Sequence, residues 1–325
     1  MKRLLKNNEF TVAIIIAITW LIFGIVNPDI ISLANVYSIT RASIISATFA
    51  LACMLVIISG GIDMSFFAVG CVAMYVTVKH LVDNAMLDTP LFFIFAAAMI
   101  IGIILELINW FFIDKLNLPP FIVTIGSQSL YKGFLLAFVG TTYITTMPKG
   151  MRKLAITYVS STTSSSGIVY NLHFLVIIVA AMYIVMHIVL NFTRFGRNIY
   201  AIGADVTAAQ RAGINISRTR FLVFLIAGAI AGVGGVFQGT LNRAAVPADL
   251  VGQELLVIAA VVLGGGGGKQ ARGSVLGTAL GVILLSLISN NLILMKVPSY
   301  WQQAVTGIII LIGLIIQSTE AISKL

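Results

Sequence analysis

Long apolar runs separated by short polar stretches dominate this chain. The longer runs approach the roughly 20 residues that a helix needs to cross a hydrocarbon layer about 30 Å thick. The pattern predicts an all-α polytopic membrane protein with about ten transmembrane helices, forming a single transmembrane domain over residues 1–325. The ten segments are 11–26, 42–59, 65–82, 91–113, 121–140, 172–192, 221–241, 253–267, 274–294 and 300–316.

The composition supports a membrane protein. Of the 325 residues, 59% are hydrophobic and 10% are charged, whereas about 25% are charged in a soluble domain. The mean hydropathy is +1.05. Cys53 and Cys71 lie inside apolar segments without a partner at ligand spacing, so we expect small buried hydrophobes and no disulfide or metal site.

The formal net charge of +9 is explained by lysines and arginines in cytoplasmic loops, so nucleic acid is not an expected partner. With the N-terminus inside, twelve basic residues fall on the cytoplasmic side and seven on the outer side. We therefore expect a multi-pass membrane protein with both termini in the cytoplasm. Lys2, Arg3 and Lys6 resemble the start of a signal peptide, but no cleavage site follows, which favours a retained first helix.

Two loops are long. Thr141–Asn171 contains the Ser/Thr run Ser160–Ser166, which is typical of a flexible outer loop. Residues 193–220 hold five arginines on the predicted cytoplasmic side. Their stretch IYAIGADVTAAQRAGI has the spacing of a short amphipathic helix, with Gly213 as a stop. Such a helix lies on the lipid surface or docks a soluble partner.

No catalytic pattern is present, so the chain is not expected to be an enzyme. HExxH and GxSxG motifs are absent. The stretch LGGGGGKQ fails as a phosphate-binding loop, because Leu263 and Gln270 stand where glycine and Ser/Thr are required. The glycines of the last third are four residues apart, at Gly228 and Gly232 and again at 273, 277 and 281. This spacing predicts close helix packing, either static or sliding.

Two ionisable residues lie inside apolar segments. We place Glu106 in the fourth segment and Lys132 in the fifth, at depths that differ by roughly 6 Å at 1.5 Å per residue. A structural ion pair between them would lower the cost of burying each charge. A proton relay is the alternative.

The stretch SGGIDMS places a carboxylate where the second segment ends and the third begins. Gly60 and Gly61 allow the chain to turn sharply. Asp63 or Ser65 is then expected to cap the third helix, where a negative charge suits the helix dipole. A role of Asp63 in gating is the alternative.

Several stretches together resemble one family. They are ISGGIDMS (58–65), LPPFIVTIG (118–126), FGRNIYAIG (195–203), RGSVLGT (272–278) and YWQQ (300–303). In this order they resemble the permease subunits of bacterial ABC importers for sugars of the ribose/xylose/arabinose type, which are related to branched-chain amino acid permeases. The resemblance covers most of the chain.

The resemblance implies four kinds of partner: the lipid membrane, ABC ATPase subunits, a second permease subunit in a homo- or heterodimer, and an extracytoplasmic solute-binding protein. It implies no cofactor in this chain, because the ATPase uses ATP and Mg. The loop 193–220 then corresponds to a cytoplasmic coupling loop, although Thr207 replaces the usual glutamate of its docking helix. The expected ATPase-coupling residues are Gly196, Arg197, Tyr200, Gly203, Ala208, Ala209 and Gly213.

The expected function is therefore ATP-driven import of a monosaccharide or similar small polar solute. The alternatives are a nucleoside or branched-chain amino acid ABC permease, and an ion-coupled secondary transporter. Candidate residues of the substrate path are Gln128, Asn290, Asn291 and Phe66. The amides are equally well explained as inter-helix hydrogen-bonding groups, and the phenylalanine as packing.

Overall fold

The computed structural model describes residues 8–164, 167–266, 273–298, 300–302, 304–308 and 311. Eight helices in this part of the chain are long and apolar enough to cross a membrane. They are α1 (Asn8–Val26), α2 (Leu33–Ile58), α3 (Phe66–Asp83), α4 (Leu91–Trp110), α5 (Pro120–Phe134), α7 (Leu175–Phe192), α10 (Ile216–Asn242) and α12 (Val275–Leu294). The expected all-α polytopic membrane fold is confirmed.

Shorter elements connect these helices. They are α6 (Lys149–Leu154), the strands β1 (Tyr158–Thr163) and β2 (Val169–His173), α8 (Arg194–Ala204), α9 (Val206–Arg211), α11 (Glu254–Val261) and a 3₁₀ turn (Pro28–Ile31). Three helices end in π-helical turns: α4 at Phe111–Lys115, α5 at Leu135–Val139 and α11 at Val262–Gly266.

Among the described residues, two of the ten predicted segments do not appear as helices of full membrane-spanning length. The eighth predicted segment, 253–267, forms a helix only over Glu254–Gly265, and twelve residues rise about 18 Å, too little for a hydrocarbon layer. The tenth segment, 300–316, is helical in its described residues. The rest of it lies outside the described residues, as do the lysines and arginine at 2, 3 and 6, residues 267–272 and Gln303.

The loop Thr141–Asn171 contains regular structure that was not predicted from the sequence. It contains α6 and most of an antiparallel hairpin, in which Ser160 pairs with Leu172 and Thr163 pairs with Val169. Threonine and valine favour extended backbone because of their β-branched side chains. A Ser/Thr-rich composition therefore did not reveal the strands of this loop.

The spanning helices form an inner and an outer group. In α2, α3, α10 and α12, 61–72% of the apolar window is buried, whereas in α1, α4, α5 and α7 only 17–22% is buried. The outer helices present large apolar side chains, such as those of Phe93, Ile104, Leu130 and Ile184. Apolar surface of this kind is expected at the lipid-facing side of a bundle.

The glycines of α10 allow its backbone to touch the backbone of α4. A Cβ on Gly228 would lie 2.5 Å from the carbonyl oxygen of Gly102, and one on Gly232 would collide with the carbonyl oxygen of Ala98. Gly277 meets Gly264 in the same way. The predicted close packing at these glycines is confirmed, and it is the packing mode that lipid favours between helices.

This contact predicts opposite effects for two alanine substitutions. Gly228→Ala should lower the melting temperature of the purified protein in detergent, because overpacking of this kind costs roughly 1–3 kcal/mol. Gly126→Ala is the matched control, since nothing lies within 4 Å of its added Cβ. It should leave stability unchanged or raise it by up to about 1 kcal/mol through helix propensity. Equal effects of the two substitutions would contradict the backbone contact.

Candidate functional site

Two short helices, α8 and α9, form an exposed layer at one end of the bundle. The hydroxyl of Thr193 accepts a hydrogen bond from Gly196 N (3.2 Å) and caps α8. The Asp205 carboxylate accepts from the amides of Thr207 (2.8 Å) and Ala208 (3.0 Å) and caps α9. The predicted single helix is therefore two helices, because a side chain that caps a new helix ends the previous one.

The predicted stop at Gly213 is confirmed. This residue follows α9 and has a φ of +81°, a conformation that glycine adopts without strain. Nothing in the structure lies within 4 Å of a Cβ placed there. A substitution at Gly213 would therefore act through the backbone and not through a clash.

The inner face of α8 is fixed to the bundle. Its buried residues are Gly196, Ile199 and Ile202, and a Cβ on Gly196 would collide with the backbone of Leu190 in α7. Tyr200 donates a hydrogen bond from its hydroxyl to the carbonyl of Gly273, just before α12 (2.7 Å). Burial raises the pKa of the Tyr200 hydroxyl, so this donor keeps its proton over the physiological range.

Gly203 brings α8 against the turn between α2 and α3. A Cβ on Gly60 would lie 3.6 Å from the Cα of Gly203, and Gly60 has a φ of +88°. We call residues 59–65 the GGID turn. It is the point where the surface helices contact the connection between two inner helices.

The outward surface of this layer is basic. Ala208, Gly213 and Arg197 are exposed, while Ala209 is buried. Within the described residues, Arg220 alone of the loop's five arginines lies near a carboxylate, at 4.0 Å from Asp114. The side chains of the other four arginines are exposed, so the loop presents positive charge to its surroundings.

The GGID turn is held by buried side chains. Thr124 of α5 accepts a hydrogen bond from Met64 N (3.0 Å) and donates to the carbonyl of Ile62 (3.2 Å). Asp63 accepts from both the amide and the hydroxyl of Ser65 (2.7 Å each). Helix α3 begins directly after Ser65, as expected, but neither side chain caps a helical amide, so the capping prediction was wrong.

The predicted ion pair between Glu106 and Lys132 does not form. Glu106 is fully buried and accepts a hydrogen bond from Asn109 Nδ2 (3.0 Å), whereas the Lys132 side chain is exposed. The neighbour of Lys132 on α5, Tyr131, is the residue that faces α4, with its hydroxyl 2.8 Å from the Leu105 carbonyl. Adjacent helical residues point about 100° apart, so equal depth did not bring the two charges together.

Gln128 contacts the short helix α11. Its amide donates to Glu254 Oε1 (2.7 Å), and the same carboxylate accepts from Gly252 N at 2.9–3.0 Å. Glu254 is 2% exposed. This buried side chain therefore has hydrogen-bond partners both on α5 and in the backbone just before α11.

The adjacent asparagines near the end of α12 join it to the start of α2. Asn35 donates to Asn291 Oδ1 (2.9 Å) and accepts from Asn290 (2.9 Å). Ser38 donates to Asn290 Oδ1 (2.9 Å). Phe66, the last candidate for the path, is completely buried, with ring centroids 4.8 Å from Phe67. A role of these residues in a path stays a prediction.

Residues 35–314 match the family described as the branched-chain amino acid transport system / permease component. This chain belongs to that family. It is therefore a permease component of a transport system, built as the membrane-embedded bundle described above.

Relatives of the permease cover nearly its whole length. The ribose import permease protein of Haemophilus influenzae is 29% identical, over 99% of this chain and 96% of its own. The autoinducer 2 import system permease protein of Enterobacter sp. (strain 638) is 30% identical, over 96% and 87%. The galactose/methyl galactoside import permease protein of Escherichia coli is 29% identical, over 98% and 96%. No solved structure matches the chain significantly.

Sequence reasoning missed three buried polar residues of the permease: Asn109, Glu254 and Asn35. Asn109 lies three positions after Glu106, which places both on one helical face. Glu254 is an acid at the start of an apolar segment. These two residues could have been predicted from sequence. Asn35 could not, because no local feature indicates its partner, which is 256 positions away.

Removing the Tyr200 hydroxyl should loosen α8. Tyr200→Phe loses a hydrogen bond worth about 1 kcal/mol, so amide hydrogen exchange in α8 should accelerate roughly fivefold. Tyr37→Phe is the control, because the Tyr37 hydroxyl contacts Ser160 of the hairpin and its loss should leave α8 unchanged. Unaltered exchange in α8 of the Tyr200 variant would show that this bond does not hold the helix.

Proposed function

We propose that the chain is the transmembrane permease subunit of an ATP-binding cassette importer, which moves a monosaccharide or a similar small polar solute into the cell. One observation supports this most strongly: relatives that match over nearly the full length are import permeases for ribose, galactose and autoinducer 2. The chain itself binds neither ATP nor Mg in this proposal. A separate ATPase subunit hydrolyses the nucleotide.

The surface formed by α8 and α9 is the proposed ATPase contact. It is exposed, and its three arginines, together with Arg218 at the start of α10, form no ion pair with a carboxylate among the described residues. An acidic surface on the ATPase would complement it and speed association. Gly196, Tyr200 and Gly203 fix the layer to the bundle, while Arg197 and Ala208 point outward.

Two contacts would transmit a movement of the α8 and α9 layer to the inner helices. Gly203 touches the GGID turn at Gly60, and Tyr200 holds the chain just before α12. Closure of two ATPase subunits would then shift α2, α3 and α12 and alternate access to a central path. We take residues 193–220 as the coupling loop and residues 1–325 as a single permease domain.

Orientation follows from the same surface. The ATPase is cytoplasmic, so the end with α8 and α9 faces the cytoplasm and the hairpin faces outward, toward a solute-binding protein. Both termini are then cytoplasmic in a bacterial inner membrane. A second permease subunit, identical or different, would complete the path. Gln128, Asn290 and Asn291 are proposed to contribute polar groups to it, and Phe66 an aromatic one.

Transport in proteoliposomes tests the proposal. The permease, its ATPase and its solute-binding protein should take up solute only when ATP is supplied on the ATPase side, and an ionophore should not abolish uptake. Labelled ribose, galactose, a nucleoside and leucine distinguish the solute classes. Uptake that needs no ATP and collapses with the ionophore would establish an ion-coupled transporter instead.

Strain at Gly213 should uncouple ATP hydrolysis by the ATPase from solute transport. Gly213→Val forces a β-branched residue to a left-handed backbone at a cost of roughly 1–2 kcal/mol, so α9 should shift while the bundle stays intact. Solute transported per ATP hydrolysed should fall several-fold. Gly167→Val is the matched control, with a φ of +79° against +81° and open space around the added Cβ. An equal loss in both variants would remove the loop from the mechanism.

A further inference from the structure

Two carboxyl groups meet inside the bundle, close to the end that carries α8 and α9. Asp63 is 1% exposed and Glu106 is 0% exposed. Both approach the same hydroxyl: Ser65 Oγ lies 2.7 Å from Asp63 Oδ1 and 3.5 Å from Glu106 Oε1. Asp63 belongs to the GGID turn and Glu106 belongs to α4.

The hydrogen-bond donors around this pair are too few for two carboxylates. Ser65 gives its amide and hydroxyl to Asp63 Oδ1, and Asn109 Nδ2 donates to Ser65 Oγ (2.8 Å) and Glu106 Oε2 (3.0 Å). Asp63 Oδ2 is buried, and no hydrogen-bond donor reaches it from the described residues. A buried acceptor without a donor is costly, and it is rare in native proteins.

No positive charge compensates the pair within the described part of the chain. The side chains of Cys53 on α2 and Tyr131 on α5 also face the pair, and neither can carry a positive charge. Lys132 is exposed on α5. The ionisable side chains on α10 are two arginines at its start, and on α3 Lys79 pairs with Asp83 at the far end of that helix.

Two buried carboxylates that approach the same hydroxyl cannot both be ionised without a large energetic penalty, because burial and like-charge repulsion act in the same direction. Burial raises the pKa of the Asp63 carboxyl above its ordinary value. Glu254, also buried, shows the contrast, since a backbone amide and Gln128 donate to its carboxylate.

We propose that Asp63 and Glu106 form a binding site for a single proton, which the two carboxyl groups share. The shared proton removes one negative charge and supplies the donor that Asp63 Oδ2 lacks. It also ties the GGID turn to α4, directly behind the contact between Gly60 and Gly203. Loss of the proton would leave two repelling carboxylates and would loosen the turn from α4.

Infrared spectroscopy of the full-length chain in lipid detects the proton directly. At neutral pH the wild-type protein should show the carbonyl band of a protonated carboxylic acid, displaced in heavy water. The band should be lost in both Glu106→Gln and Asp63→Asn. It should persist in Asp88→Asn, a control at an acid that is 78% exposed. A wild-type spectrum without a band of this kind would overturn the proposal even if neither core variant folds.

The pH dependence of stability gives a second test. Unfolded carboxyl groups lose their protons at about pH 4, whereas the folded pair keeps one, so stability should fall as the pH rises above about 4 until the pair itself loses the proton. The wild-type melting temperature should therefore decline by several degrees over this range. Glu106→Gln should flatten the decline, because its amide donates to Asp63 without titrating. The same slope in both proteins would contradict the shared proton.

A sodium ion is the competing occupant of the site. Sodium would stabilise the wild-type chain in NaCl relative to choline chloride at constant pH, and this difference would disappear in Glu106→Gln. That result would overturn the shared proton. Equal melting temperatures in the two salts, together with the infrared band, would support it.

Discussion

Close contact between helix backbones is the constraint on which the rest of this structure depends. Lipid gives helices no hydrophobic reason to associate, so packing at small residues has to hold them together. Gly228 and Gly232 of α10 meet Gly102 and Ala98 of α4 in this way. The buried face of α4 that carries Ala98 and Gly102 continues to Glu106, four residues beyond Gly102. The packing that joins the helices thereby also excludes water from this carboxyl.

The same constraint explains how a surface layer can act on the inner helices. Because α2 and α3 are mostly buried, the turn that connects them has little freedom, and its glycine at position 60 is the part that α8 touches. The turn is also bonded to α5 through Thr124. In the proposed function, a displacement of α8 would therefore be passed through this connection to packed helices instead of being absorbed by a loose loop.

Much of the fold could be predicted from sequence because its signals are local. Apolar run length located the spans, and glycine spacing identified the faces where α10 and α12 pack closely. The start of α3 after Ser65 followed from the change in hydrophobic pattern. Run length was ambiguous for α11, since the predicted segment 253–267 has fifteen residues, which is near the lower limit for a span.

One error arose where a partner had to be inferred at a distance. Depth along the membrane suggested that Glu106 pairs with Lys132, but depth does not specify the direction in which a helical side chain points. Tyr131, one residue earlier, occupies the inward position. The break at Asp205 was missed for a different, local reason. The sequence alone does not distinguish an aspartate that caps a helix from an aspartate in the middle of one.

The polar side chains proposed for the path already have partners in this conformation. Gln128 is bonded to Glu254, and Asn290 is bonded to Asn35 and Ser38. A solute that contacted these amides would have to replace those partners. Exchanging one hydrogen-bond partner for another gains little free energy, whereas leaving a buried amide without a partner is costly. A role in solute passage therefore requires a second conformation, in which α5 separates from α11 or α12 from α2. Both separations would involve helices that the GGID turn or the chain before α12 connects to α8.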